Sequence, residues 1–90
     1  MRKNKEQNKT NTQSNKSLKK FLTLYNDDIN SFDHVIDSLI NVCDHNDIQA
    51  AQCAYIAHHK GKVDVKKGSW DYLHPMKQEL VERGLTVTIE

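Results

Sequence analysis

Leu22-Thr23-Leu24-Tyr25-Asn26-Asp27-Asp28-Ile29-Asn30-Ser31 holds the sharpest change of pattern in the chain. Phe21, Leu22, Leu24 and Tyr25 suit a short, half-buried strand, and the amide and two carboxylates after them cannot continue it. A turn must follow. Ser31 then offers a hydroxyl to cap a helix, and Asp33 places a negative charge in its first turn. Asn26, Asp27 and Asp28 have two readings at this point. They shape the turn, as Asn and Asp routinely do, or they form the rim of a binding site.

Downstream of Ser31, Phe32, Val35, Ile36, Leu39, Ile40, Val42 and Cys43 recur at helical spacing and predict an amphipathic helix. Asp44 to Asn46 interrupts it. Asn46 and Gln49 have the spacing of a capping box, which predicts a second helix from about Asp47 to Lys60, closed by Gly61. Ala50, Ala51, Ala54 and Ala57 give that helix small side chains, so that backbone or a ligand can approach it closely. Val63 and Val65 alternate with charged neighbours over Lys62 to Lys66, which reads as a strand with one wet face.

Gly68 and Ser69 turn the chain. Ser69 is a candidate cap for a third helix carrying Trp70, Leu73, Met76, Leu80 and Val81. Pro75 lacks a backbone donor and fits best near a helix start, which predicts an irregular first turn and a regular helix from about Pro75 to Arg83. After Gly84, Leu85, Val87 and Ile89 alternate into a last strand. The order β-α-α-β-α-β with short connections predicts an α+β fold: a three-stranded, mainly antiparallel sheet with three helices on one face.

Ninety residues allow one small domain. Residues 1–17 contain no apolar side chain after Met1 and read as a flexible basic tail, leaving 18–90 as the core domain. A formal net charge of +1 conceals an uneven distribution: residues 1–20 carry seven bases against Glu6, and residues 21–90 carry six bases against eleven acids. The tail could serve a nucleic acid, but it has no aromatic or arginine interleaving, and a solvated tail or a segment offered to a protein partner reads as well. Two cysteines, Cys43 and Cys53, sit within apolar helical patterns rather than a disulfide framework, which points to buried thiols in a reducing compartment. With no secretory h-region and no run of about 20 apolar residues, a cytoplasmic protein without a membrane span is expected.

Little here suits catalysis. Gly61-Lys62 lies outside the context of a phosphate-binding loop, and Cys53 is five and six residues from His58 and His59 on the same helix, so a thiol–imidazole pair would diverge. Cys43, His45, Cys53, His58, His59 and His74 include no recognised zinc spacing, so neither a metal nor another cofactor is expected. One combination stands out if the two halves of the chain meet. Asn26, Asp27 and Asp28 follow the first strand, and His58 lies late on the small-residue helix, beside a hollow left by Ala54 and Ala57. An amide oxygen, a carboxylate and an imidazole around one point would suit a cation with an apolar neighbour.

These residues carry a resemblance. Leu24-Tyr25-Asn26-Asp27-Asp28, the helix from Phe32, His58-His59-Lys60-Gly61-Lys62 and Gly84-Leu85 are similar to the ClpS family of adaptors, over roughly residues 19–90. The triplet followed 32 residues after Asn26 by His-x-x-Gly is far more specific than either motif alone. The resemblance implies a monomeric, non-enzymatic adaptor. It would recognise N-degron proteins and deliver them to the N-terminal domain of a ClpA- or ClpC-type AAA+ unfoldase. By position, Asn26, Asp27 and His58 would hold the substrate's free α-ammonium, Asp27 through a water, while Asp28 and Asn30 shape the rim. Phe32, Val35, Ala54, Ala57 and Leu85 match positions lining the family's pocket for Phe, Leu, Tyr or Trp side chains. Phe32 replaces a common Met at the pocket's gate, and Ala54 and Ala57 replace bulkier aliphatic residues. The predicted architecture also resembles the C-terminal domain of the ribosomal stalk protein, a reading that leaves the triplet and His-x-x-Gly unused.

Overall fold

A computed structural model describes residues 18–90. The expectation of a flexible tail at residues 1–17 lies outside the described residues. Six elements follow in order: β1 (Lys20–Tyr25), α1 (Phe32–Cys43), α2 (Asp47–Lys60), β2 (Lys62–Gly68), α3 (Trp70–Glu82) and β3 (Thr86–Ile89). The fold is α+β, as the pattern predicts. β1 is the central strand, antiparallel to β2 on one side and to β3 on the other.

Local chemistry accounts for most boundaries. Ser31 caps α1 by accepting a hydrogen bond from the His34 amide, and Asn46 and Gln49 form the complete capping box that opens α2. α2 stops at Gly61, whose φ of 95° is a conformation that a side chain would strain. Between the two helices Asp44 turns the chain at φ 61°, and its backbone amide reaches back to the Leu39 carbonyl.

α3 departs from expectation. It begins at Trp70 and runs through Pro75, five residues ahead of the predicted regular start. Ser69 caps it by accepting from the Tyr72 amide. Leu73 and Leu80, seven residues apart on one face, are both fully buried. Burying two leucines is worth about 1.5–3 kcal/mol each, enough to offset the roughly 3 kcal/mol that an internal proline costs. β2 also runs two residues further than the Val63/Val65 alternation indicates, to Gly68. A register shift between Leu22 and Thr23 breaks that alternation, so the extension has no period-2 signature.

One core joins sheet to helices. Leu22 and Leu24 from β1, Val65 from β2 and Val87 from β3 pack with Leu39, Cys43, Ala50, Ala57, Leu73 and Leu80. Cys43 is fully buried, and burial pushes its thiol up to about 11; Cys53 is half-buried and its thiol is raised for the same reason. The other face of the sheet is polar and aromatic. There Thr23 donates to Asp64 at 2.9 Å, and Lys67 and Lys62 lie over the Phe21 and Tyr25 rings. Tyr25 and Thr88 both donate to the Glu90 carboxylate.

Leu39, with no exposed surface, should be among the side chains least tolerant of truncation. Leu39→Ala is expected to lower unfolding free energy by about 2–5 kcal/mol in urea titrations, whereas Ile48→Ala, at a side chain 71% exposed, should change it by under about 0.5 kcal/mol.

Candidate functional site

The sheet brings the two halves of the site together. Beyond the Tyr25–Lys62 pair, the Asn26 amide donates to the Gly61 carbonyl at 2.9 Å, extending the β1–β2 ladder into the loop. Asn26 thereby meets the C-terminal end of α2, where His58 lies one turn before Gly61.

Residues 27–30 then form a self-capped turn. One Asp27 carboxylate oxygen accepts from the amides of Ile29 at 2.9 Å and Asn30 at 2.8 Å, and the other accepts from the Asn30 side-chain amide at 2.8 Å. That same Asn30 amide group also donates to the Gly84 carbonyl at 2.9 Å. A second tie lies close by. The His34 imidazole donates from Nε2 to the Arg83 carbonyl at 2.7 Å, since a carbonyl can only accept. The β1–α1 loop is thus fastened to the turn that joins α3 to β3.

Burial of Asp27 opposes its ionisation, but the hydrogen bonds from Asn30 and Ile29 outweigh it and hold the carboxyl below the ordinary aspartate range. The charge is kept at the rim of a hollow. A cavity of about 290 Å³ is lined by Leu24, Tyr25, Asn26, Asp27, Asp28, Asn30, Phe32, Val35, Ala54, Ala57 and His58. The β1–α1 loop contributes polar groups to the lining, while Ala54 and Ala57, both buried, contribute single methyl groups from α2. Phe32 is 47% exposed, and its ring meets the His58 imidazole edge to face, with centroids 5.3 Å apart.

Of the site residues inferred from sequence, Asn26, Asp27, Asp28, Asn30, Phe32, Val35, Ala54, Ala57 and His58 all line this one cavity. Leu85 does not. It is 4% exposed and packs in the core, where its amide donates to the Leu80 carbonyl as the chain turns into β3. Leu24 and Tyr25, which also line the cavity, were legible only as strand residues; their position immediately before the triplet was the available signal.

A model of the ClpS family, described as ATP-dependent Clp protease adaptor protein ClpS, matches residues 15–88. The chain belongs to the ClpS family. It is therefore a Clp protease adaptor, a class whose partners are a Clp AAA+ chaperone and its substrates. The matched span contains both Asn26–Asp28 and His58-x-x-Gly61, residues that the ribosomal-stalk resemblance leaves without a role. No curated protein matches the chain. Among the described residues of this ClpS-family chain, no helix is long and apolar enough to cross a membrane.

Because the folded state lowers the Asp27 pKa, ionised Asp27 stabilises the fold. That contribution is complete above the unfolded value of about 3.9 and fades as pH falls through the folded value. Asp27→Asn should lower stability by on the order of 1 kcal/mol at pH 7. The gap between variant and wild type should close below about pH 4, as read from urea midpoints at both pH values. A constant gap would show that the carboxylate charge does not matter to the loop.

Proposed function

We propose that this ClpS-family adaptor captures proteins by their first residue, reading a free α-ammonium and a bulky apolar side chain (Phe, Leu, Tyr or Trp) in the cavity beside Asn26 and His58, and delivers them to a Clp AAA+ unfoldase. The observation that carries the proposal is the cavity lining. Acceptors and acidic groups from one half of the chain share the lining with an imidazole and two alanine methyls from the other.

The chemistry of a protein's N-terminus fits that arrangement. An α-amino group has a pKa of about 7.7–8.0 and is largely cationic at neutral pH, so it needs acceptors. The Asn26 amide oxygen and a neutral imidazole nitrogen of His58 supply them directly. Asp27 contributes differently. Its oxygens already hold the loop amides, so its share in cation binding is the negative field at the rim and a water-bridged contact to a remaining lone pair. Asn30 acts on the site through Asp27 and Gly84, and Asp28 adds further negative charge to the lining.

Hydrogen bonds to a charged group contribute about 1.5–3 kcal/mol each, and burial of a Leu or Phe side chain about 1.5–3 kcal/mol. After the cost of association, both halves are needed to reach an affinity on the order of micromolar. An internal peptide bond offers neither the charge nor the donors of an N-terminus. Nothing in this scheme requires the adaptor to cleave its substrate; hydrolysis falls to the peptidase beyond the unfoldase.

Asn26→Ala and His58→Ala should each weaken binding of a Phe-initiated peptide by about tenfold or more while leaving the circular dichroism spectrum unchanged. N-acetylation of the peptide should abolish binding to the wild type. Equal affinity for the free and acetylated peptides in a fluorescence anisotropy titration would remove the α-ammonium from the recognition scheme.

A further inference from the structure

We infer that the cavity selects an aromatic first side chain, Trp or Phe, over an aliphatic one such as Leu. The inference rests on the amino-terminus reading above and concerns only which side chain fills the space.

Size is the first consideration. An apolar protein cavity of about 150 Å³ is enough to hold benzene. The cavity here is about 290 Å³, and its mouth must also admit the ammonium and the first peptide group. The remainder suits one or two fused rings. A leucine side chain would leave space unfilled, and atoms facing a void lose their dispersion contacts outright.

Shape points the same way. The floor consists of Ala54 and Ala57, 3% and 5% exposed, so α2 offers a low surface on which a planar group can lie. Leu24 and Val35 add apolar surface to the lining. At the mouth the Phe32 ring stands at 75° to the His58 imidazole and retains 47% of its surface. Phe32 and the alanine methyls line the same cavity, so a ring seated there can contact both. Aromatic pairs gain affinity beyond the area they bury, equivalent to about two- to tenfold in binding. Leucine cannot make that contact.

The ligand is also the end of a chain rather than a free aromatic amino acid. A free amino acid would bring its own carboxylate to a lining that already carries Asp27 and Asp28, whereas in a peptide that group is a neutral amide.

The test uses the full chain and peptides identical except for a first residue of Trp, Phe, Leu or Val, each free and N-acetylated, together with free tryptophan. Trp- and Phe-initiated peptides are expected to bind about three- to tenfold tighter than the Leu peptide. Val and free tryptophan should be weaker than either aromatic peptide. Phe32→Leu, at a half-exposed side chain, should lower the Trp-to-Leu affinity ratio toward one, and Ala57→Leu, which raises the floor, should lower it further. A merely structural role for Phe32 would change all affinities in proportion and leave the ratio where it was. If the free Leu peptide binds as tightly as the Trp peptide while acetylation abolishes both, aromatic selection is overturned and the amino-terminus reading stands. If free and acetylated peptides bind alike, the amino-terminus reading fails and selection by first residue fails with it.

Discussion

One backbone hydrogen bond fixes the relation between the two halves of the site. The Asn26 amide reaches the Gly61 carbonyl at 2.9 Å, one step past the Tyr25–Lys62 pair. Backbone donors and acceptors must be satisfied, so the ladder dictates where the chain stops being a strand. Gly61 can occupy that position because its φ of 95° lets α2 end and β2 begin without strain. An imidazole one turn back along α2 then lines the same cavity as an amide 32 residues and a carboxylate 31 residues earlier in the chain. Sheet pairing, not side-chain attraction, brings these groups together.

The loop between β1 and α1 has no regular structure, yet little in it is loose. Asp27 satisfies two amides that neither strand nor helix could serve, and Asn30 links the carboxylate to the Gly84 carbonyl. His34 adds a second fastening at Arg83. Arg83 itself is held by Asp37 and Glu79, whose carboxylates lie 3.9 and 3.5 Å from its guanidinium. These surface ion pairs are individually weak, but they help to orient the turn on which the loop rests. A site built this way is pre-organised, so less ordering has to accompany binding.

Much of this was readable before the structure. Caps are local chemistry, so Ser31, Asn46 with Gln49, and Gly61 marked their helix ends within a residue. The nine candidate residues on the β1–α1 loop, α1 and α2 could be grouped because the triplet and His-x-x-Gly together resemble the ClpS family. What escaped depends on tertiary contacts. Pro75 argues locally against a helix that Leu73 and Leu80 stabilise through burial. The register shift in β2 removes the alternation that would have marked its full length. Leu85 was placed in the pocket by positional likeness, but the tight return from α3 turns it into the core instead. The clamp from Asp27 through Asn30 to Gly84 joins Asn30 to a residue 54 positions later, a distance over which no spacing rule applies.

Among the described residues the three-stranded sheet has β2 at one margin and β3 at the other. β3 is only four residues long, and β2 carries Lys62, Lys66 and Lys67 along its length. Short margins studded with lysine discourage another polypeptide from zipping on as a further strand. For a Clp protease adaptor that matters. Extended client segments offer the same unpaired amides and carbonyls, and indiscriminate strand addition would trap them or seed coaggregation. The charged margins leave the small hollow at the end of β1 as the place proposed here for a client's first residue.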